Sequence, residues 1–276
     1  MIQAGHYYEL KAVKKVDFGF YLDAEGLEIL LPKRFVPEGL QEGDDVKVFI
    51  YHDNEDRLIA TTQEPFAVVG EVALLKCVGN TKFGAFLEWG IMKDVFVPLS
   101  QQVSRITDGE SYLVYLFIDE MTGRVTATEK FQKFLSNAEL TVEENEVVDL
   151  LVWQQTDIGY KVIINGKHTG VVHFSDVFRD LEYGEKLKGF IKKIREENKI
   201  DVAIGEKGYS RVSPETERLL QLLRENDGYL PYNDKSSPEE IYRFFGISKK
   251  TFKMSLGALY KERKIELTKT GVKLVE

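Results

Sequence analysis

Apolar and polar positions alternate in short runs along the first three quarters of the chain, the period that gives a β-strand one buried and one solvated face. VKVFIY at 46–51, YLVYLFI at 112–118 and KGFIKKI at 188–194 are clear examples. Each is followed by turn-forming residues, DNED, DEMTG and EEN, which predicts strands ending in tight reversals. The pattern occurs three times. Gly19, Gly84 and Gly159 are equivalent; a second glycine follows 24, 25 and 25 residues later, at Gly43, Gly109 and Gly184. An alanine follows these by 17, 18 and 19 residues, at Ala60, Ala127 and Ala203. Spacing held this closely in three copies marks an internal repeat. About five short strands in some 65 residues, without a long helical stretch, fit a small closed Greek-key barrel better than a sandwich. So small a barrel has a modest core and gains from packing against a neighbour.

After Gly208 the periodicity changes. Ser213-Pro214-Glu215 is a helix start, with Pro at the first helical position, and Leu219, Leu222 and Leu223 form an apolar stripe behind it. Ser237-Pro238-Glu239-Glu240 starts a second helix whose Ile241, Phe244 and Phe245 are expected to face a core, and Gly246 ends it. Ser248 caps a third helix with Phe252, Leu256, Leu259 and Tyr260 as its apolar residues, and a hairpin is predicted around Lys269-Thr270-Gly271. Helix, helix, short turn, helix, hairpin is the order of a winged helix-turn-helix. The expected architecture is a mainly β multidomain protein: three small barrels at 1–64, 65–138 and 139–209, then an α/β winged helix at 210–276.

Composition changes this picture in two places. Of 276 residues, 43 % are hydrophobic and 30 % charged, which suits a folded chain. No run of about 18 apolar residues occurs, so neither a spanning helix nor a membrane partner is expected. The N-terminal stretch lacks the pattern of a secretory signal, and the cytoplasm is the expected location. The net charge of −8 hides a gradient. Residues 1–144 carry 14 Lys+Arg against 24 Asp+Glu, residues 145–210 carry 10 against 11, and residues 211–276 carry 13 against 10. Because salt screens charges beyond roughly 10 Å, an acidic chain can still bind a polyanion locally.

Copy two displays its surface chemistry most openly: Lys82-Phe83-Gly84-Ala85-Phe86-Leu87, then Asp94-Val95-Phe96-Val97-Pro98-Leu99-Ser100, then Gly109-Glu110. Copy one reads Phe18-Gly19-Phe20-Tyr21 and Leu30-Leu31-Pro32; copy three reads Ile158-Gly159-Tyr160-Lys161 and Gly170-Val171-Val172-His173-Phe174-Ser175-Asp176. Residues three apart on a strand face opposite ways, but a glycine permits a bulge or bend that brings both rings to one surface. Two rings on an open face form a stacking platform for unpaired bases, worth ~1–3 kcal/mol per base. The other reading of each ring is that it fills the barrel interior. The residue twelve after the second motif position, Pro98 or His173, is expected on the neighbouring strand.

These motifs resemble the ribosomal-protein S-one type of OB-fold, an RNA-binding barrel, with the family's histidine position occupied by Pro32, Pro98 and His173. Copy one is a degenerate example. Three such barrels followed by a winged helix resemble the conserved virulence factor B family of Gram-positive bacteria over the whole chain. The resemblance implies a non-catalytic, cytoplasmic RNA-binding regulator acting after transcription on virulence-gene expression. The residues carried over as RNA-binding are Phe18, Tyr21, Lys82, Phe83, Phe86, Phe96, Tyr160, Lys161, His173 and Phe174.

On the winged helix, Lys249, Lys250, Lys253 and Lys261 of the third helix and Lys269 and Lys273 of the wing are candidate nucleic-acid contacts. Ser248-Lys249-Lys250-Thr251-Phe252-Lys253 offers no Arg, Asn or Gln fork for base edges, so these lysines are expected to touch phosphate without reading sequence. No phosphate-binding glycine loop or nucleophile elbow occurs, and His168 and His173 lack metal-site spacing. Asp44-Asp45 reads as the polar turn before a strand rather than a magnesium site. Neither catalysis, a metal nor a cofactor is expected. The expected partner is single-stranded RNA; the alternatives are duplex nucleic acid read by the winged helix, and a scaffold docking on a protein of the transcription or translation machinery.

Overall fold

The computed structural model describes residues 2–177, 179–205 and 214–275. The chain divides into two compact units, Met1–Phe134 and Leu135–Glu276. The first unit holds two closed five-stranded barrels. One is built from β1 (His6–Val16), β2 (Gly19–Ala24), β3 (Leu27–Pro32), β4 (Asp45–His52) and β5 (Leu58–Thr61). The other uses β6 (Val72–Asn80), β7 (Gly84–Leu87), β8 (Val95–Pro98), β9 (Ser111–Ile118) and β10 (Val125–Thr128). The second unit opens with a third barrel of β11 (Val147–Gln155), β12 (Gly159–Ile164), β13 (His168–His173), β14 (Lys186–Ile194) and β15 (Ile200–Ile204).

All three barrels have one topology. The first three strands form a meander, the fifth pairs parallel with the third, and the fourth closes back on the first. The register repeats too, with Gly19 opposite Pro32, Gly84 opposite Pro98 and Gly159 opposite His173. The first two strands of each barrel slip register by one residue at Val13, Val78 and Trp153. The bulge therefore lies on the strand before the motif glycine, not at it. The glycine has a different cause. A Cβ on Gly19, Gly84 or Gly159 would stand 2.1, 2.2 or 2.1 Å from the carbonyl oxygen of Leu31, Val97 or Val172 on the next strand, and only a residue without a Cβ allows that approach.

The repeat needs one correction. Ala60 pairs with Ile50 and Ala127 with Leu116, and the equivalent Ile191 pairs with Val202. Val202, fully buried, fills the third copy's core position, and Ala203 is its half-exposed neighbour. Side-chain period fixes this, since a shift of one residue moves a side chain to the other face.

The barrels of the first unit share packing. Val46, Val48 and Ile50 of β4 fill the first barrel, whereas Phe49 and Tyr51 join the core cluster that fills the second. Phe49 meets Trp89 edge-on at 5.4 Å between ring centres, and the Trp89 indole N–H donates to Ala67 O at 2.8 Å. A strand buried on both faces reads as the near-continuous apolar run VFIY rather than as an alternation.

In the second unit the winged helix comprises α1 (Pro214–Glu225), β16 (Tyr229–Leu230), α2 (Pro238–Phe245), α3 (Lys249–Lys261), β17 (Ile265–Leu267) and β18 (Val272–Leu274), with sheet order β16-β18-β17. Ser237 and Glu240 form a capping box, Gly246 closes α2 in the left-handed conformation, and Ser248 caps α3. The Ser213 cap expected for α1 lies outside the described residues. The two-residue strand β16 has no pattern long enough to show in the sequence. Two apolar assignments change: Phe244 and Tyr260 are exposed, while Ile241, Phe245, Phe252, Leu256 and Leu259 are buried. In α1 it is Leu220, with Leu219 and Leu223, that is buried, and Leu222 is only partly so.

Candidate nucleic-acid interface

The second barrel presents the aromatic surface. The strand begins at Gly84, so Phe83 belongs to the preceding turn rather than to β7. That turn is fixed by Thr81, whose N–H and hydroxyl both donate to Gly84 O, at 2.8 and 3.0 Å, and whose hydroxyl accepts the Phe83 N–H at 3.2 Å. Phe83 is 67 % exposed and Phe86 37 %. Phe86 stands opposite Phe96 of β8, with ring centres 5.0 Å apart. The Lys82 ammonium lies 4.9 Å from the centre of the Phe83 ring. Ala85, between the two phenylalanines, is fully buried. Phe83 and Phe86 thus face outward together because one is in a turn and the other two residues into the strand, with no bulge at the glycine. Both rings and Phe96 line a cavity of about 450 Å³.

The first barrel keeps a reduced version. Phe18 is 55 % exposed and meets half-buried Tyr21 edge-on at 6.3 Å, while Phe20 is core. In the third barrel the surface is different. Tyr160 is 2 % exposed and packs in the barrel core. It occupies the position of Phe20 and Ala85, immediately after the glycine, where the period of two points every side chain inward; its assignment to an RNA face is withdrawn. Ile158 and Lys161 occupy the positions of Phe83 and Phe86, and the Lys161 ammonium sits 5.0 Å from the Trp153 ring centre. Half-buried Trp153, at the bulge, was missed as a neighbour of this surface. Its signal was positional: it stands six residues before the motif glycine, as do Val13 and Val78.

His173 ends β13 and is held by charge. Its Nε2 is 2.9 Å from Asp201 Oδ1 and 3.2 Å from an Arg195 nitrogen, and Arg195 Nε donates to Asp201 Oδ2 at 2.5 Å. Burial alone would raise the Asp201 carboxyl, but the hydrogen bonds from His173 and Arg195 outweigh it and hold the acid below its usual range. Phe174 follows, 40 % exposed, packed edge-on against Tyr160 at 5.4 Å. His168 opens β13. It is buried, with Nδ1 2.6 Å from Ser136 O and Nε2 2.9 Å from the Thr141 hydroxyl.

The lysines of α3 do not act as one set. Lys250 Nζ donates to Asp180 Oδ1 at 2.7 Å, and Lys261 Nζ to Ser175 O at 2.6 Å, with Asp176 Oδ1 at 3.7 Å. The hydrogen bond to Asp180 raises the Lys250 pKa. Two of the four candidates on α3 thus pair with the segment after β13, which supplies the acids, while their side chains stay exposed to solvent. Lys253, Lys269 and Lys273 are exposed and Lys249 is half-buried.

Asp45 pairs with Lys11 at 3.0 Å and Asp44 accepts the Gln41 N–H at 2.9 Å. Among the described residues, no group of three or more His, Cys, Asp or Glu side chains is arranged to hold a metal ion.

Fold and surface together define the class: OB-fold barrels in tandem with a winged helix, both nucleic-acid-binding domain types. Residues 4–63 match the S1 domain family, and residues 217–274 match the CvfB-like winged helix domain. The chain is similar to the Uncharacterized protein YitL of Bacillus subtilis (strain 168), with 27 % identity over 96 % of this chain and 91 % of that protein. It is also similar to Conserved virulence factor B of Staphylococcus epidermidis, 26 % identical over 83 % of this chain and 82 % of that one. A solved multidomain protein with nucleic acid binding domains from Streptococcus pneumoniae covers 99 % of this chain and 98 % of its own, at 24 % identity and a TM-score of 0.44. The resemblance to the conserved virulence factor B family rests on relatives of that name, 26–27 % identical over most of the chain.

Proposed function

We propose that the protein binds single-stranded RNA without catalysis and regulates gene expression after transcription, with virulence-factor transcripts as the targets suggested by its relatives. One observation carries the reading: Phe83, Phe86 and Phe96 share an open surface, with the Lys82 ammonium beside them. Bases stack on such rings whatever their sequence, and a nearby cation contacts the backbone. Linked weak sites on successive barrels then add through effective concentration. Such a regulator works in the cytoplasm, on transcripts.

The winged helix supports the barrels in this scheme. Its α3 begins without a residue able to fork onto a base edge, and Lys250 and Lys261 are engaged by the third barrel's loop. Reading of a duplex major groove is therefore disfavoured. A second reading, docking on a protein of the transcription or translation machinery, is favoured by the exposure of Tyr242, at 68 %, and Phe244, at 41 %, on α2.

The test is a salt titration of RNA binding by the full chain, wild type against Phe83→Ala/Phe86→Ala. Binding that weakens with salt, and that the double variant loses while remaining folded, supports the RNA reading. Absence of RNA binding at low salt supports the docking reading.

A further inference from the structure

The cavity beside Phe86 is not made by the second barrel alone. His52, the last residue of β4 in the first barrel, lines it together with Phe83, Phe86, Trp89 and Phe96. Two contacts hold His52 there. Lys93 Nζ donates to Asp53 O at 2.6 Å, and Arg124 pairs with Asp56, so the second barrel grips the turn after β4 at two points. Among the described residues, the buried His52 Nδ1 has no hydrogen-bond partner. An unsatisfied buried nitrogen costs stability and calls for an explanation.

We infer that this cavity takes one unpaired nucleobase, stacked on Phe86 and Phe96, with its polar edge meeting the His52 imidazole in the cavity wall. The inference rests on the reading of the second barrel as an RNA face and adds a base-selective pocket completed by the first barrel. Three features point to a base rather than to a phosphate. The wall is aromatic, the volume of about 450 Å³ suits a small planar ligand, and the charges of the lining balance, Lys93 and Arg124 against Asp94 and Asp119. A phosphate gains little from a neutral lining. A neutral heteroaromatic ring gains stacking on the phenylalanines and a hydrogen bond to the imidazole. A site that hydrogen-bonds one edge rejects rings lacking the matching group, so the pocket gives base preference to a surface that would otherwise stack any base.

The experiment uses the full chain carrying Trp153→Phe, which leaves Trp89, in the cavity wall, as the sole tryptophan. Its fluorescence is followed while oligo-A, oligo-C, oligo-G and oligo-U, and separately the four free nucleosides, are added. The expected result is a spread of about tenfold or more among the four oligonucleotides, reduced below about threefold by His52→Phe, which keeps the ring volume and removes the nitrogens. His52→Asn, which restores a polar group to the cavity wall, is expected to recover part of the spread. Quenching by nucleosides shows that the site takes a free base. Quenching by oligonucleotides alone shows that the base must be presented by a strand. Equal affinity for all four oligonucleotides, or an unchanged spread in a folded His52→Phe protein, overturns the pocket while leaving RNA binding intact. Absence of any RNA binding overturns both.

Discussion

The second and third barrels share topology, strand register, a bulge six residues before the glycine and a glycine pressed against a carbonyl oxygen. They differ in what they show to solvent. The second displays Phe83, Phe86 and Phe96; at the same positions the third has Ile158, Lys161 and Val171, with His173, Asp201 and Arg195 bonded alongside. The frame depends on a few backbone-level requirements, and the outward positions are free to change from aromatic to charged without altering it. Function in such a repeat belongs to the surface set, so copies of one fold need not share one role.

The strongest way to sharpen this contrast is to remove each surface. Phe83→Ala with Phe86→Ala is expected to weaken single-stranded RNA binding by about 1–3 kcal/mol per lost stacked base. Ile158→Ala with Lys161→Ala should cost less than about 1 kcal/mol, because it removes no ring. Fluorescence anisotropy with one labelled oligonucleotide measures both; equal losses would erase the distinction between the barrels.

The shared frame makes the opposite prediction. Gly84→Val and Gly159→Val place a side chain against Val97 O and Val172 O, and each should destabilise its unit by about 1–3 kcal/mol in urea unfolding. A large difference between the two would mean that the frames are not equivalent.

The charged cluster of the third barrel adds a pH dependence of its own. The Asp201 carboxyl has a lower pKa folded than unfolded. Its contribution is therefore fully present above the ordinary aspartate value and is lost as pH falls through the lower folded value. Asp201→Asn should cost about 1 kcal/mol or more at neutral pH, with little of that difference remaining near pH 2. Urea midpoints for the two proteins across this range check it, and a constant difference would contradict it.

The smallest effect is expected on the winged helix. Replacing Lys249, Lys250 and Lys253 by Ala should lower RNA affinity uniformly across sequences and flatten its salt dependence by up to about two units. Lys250 is already paired with Asp180 and contributes little. Selection of a sharp duplex consensus by this domain would contradict the phosphate-only role.

Much of the fold was legible because it is written locally. The turn residues after each strand, the spacing of Gly19, Gly84 and Gly159, and the serines that cap α2 and α3 act within a few residues of where they stand. Tyr160 was misread because its residue type was given more weight than its place; alignment with Phe20 and Ala85 would have turned it inward. Ala203 was one residue from the true match, which only the pairing of Val202 with Ile191 reveals. His52 was not legible as a pocket residue, since it enters the cavity wall only through packing of one barrel on the next. The pairing of Lys250 with Asp180 likewise spans 70 residues, and no local pattern encodes it.

The most direct test of the account is competition between homopolymeric single-stranded RNA and duplex DNA for the full chain at one fixed salt concentration. Stacking on Phe83, Phe86 and Phe96 requires unpaired bases, so the account predicts that single-stranded RNA displaces the duplex and that Phe83→Ala/Phe86→Ala abolishes this preference. A duplex bound as tightly as the single strand, or a preference that survives loss of both rings, would contradict it.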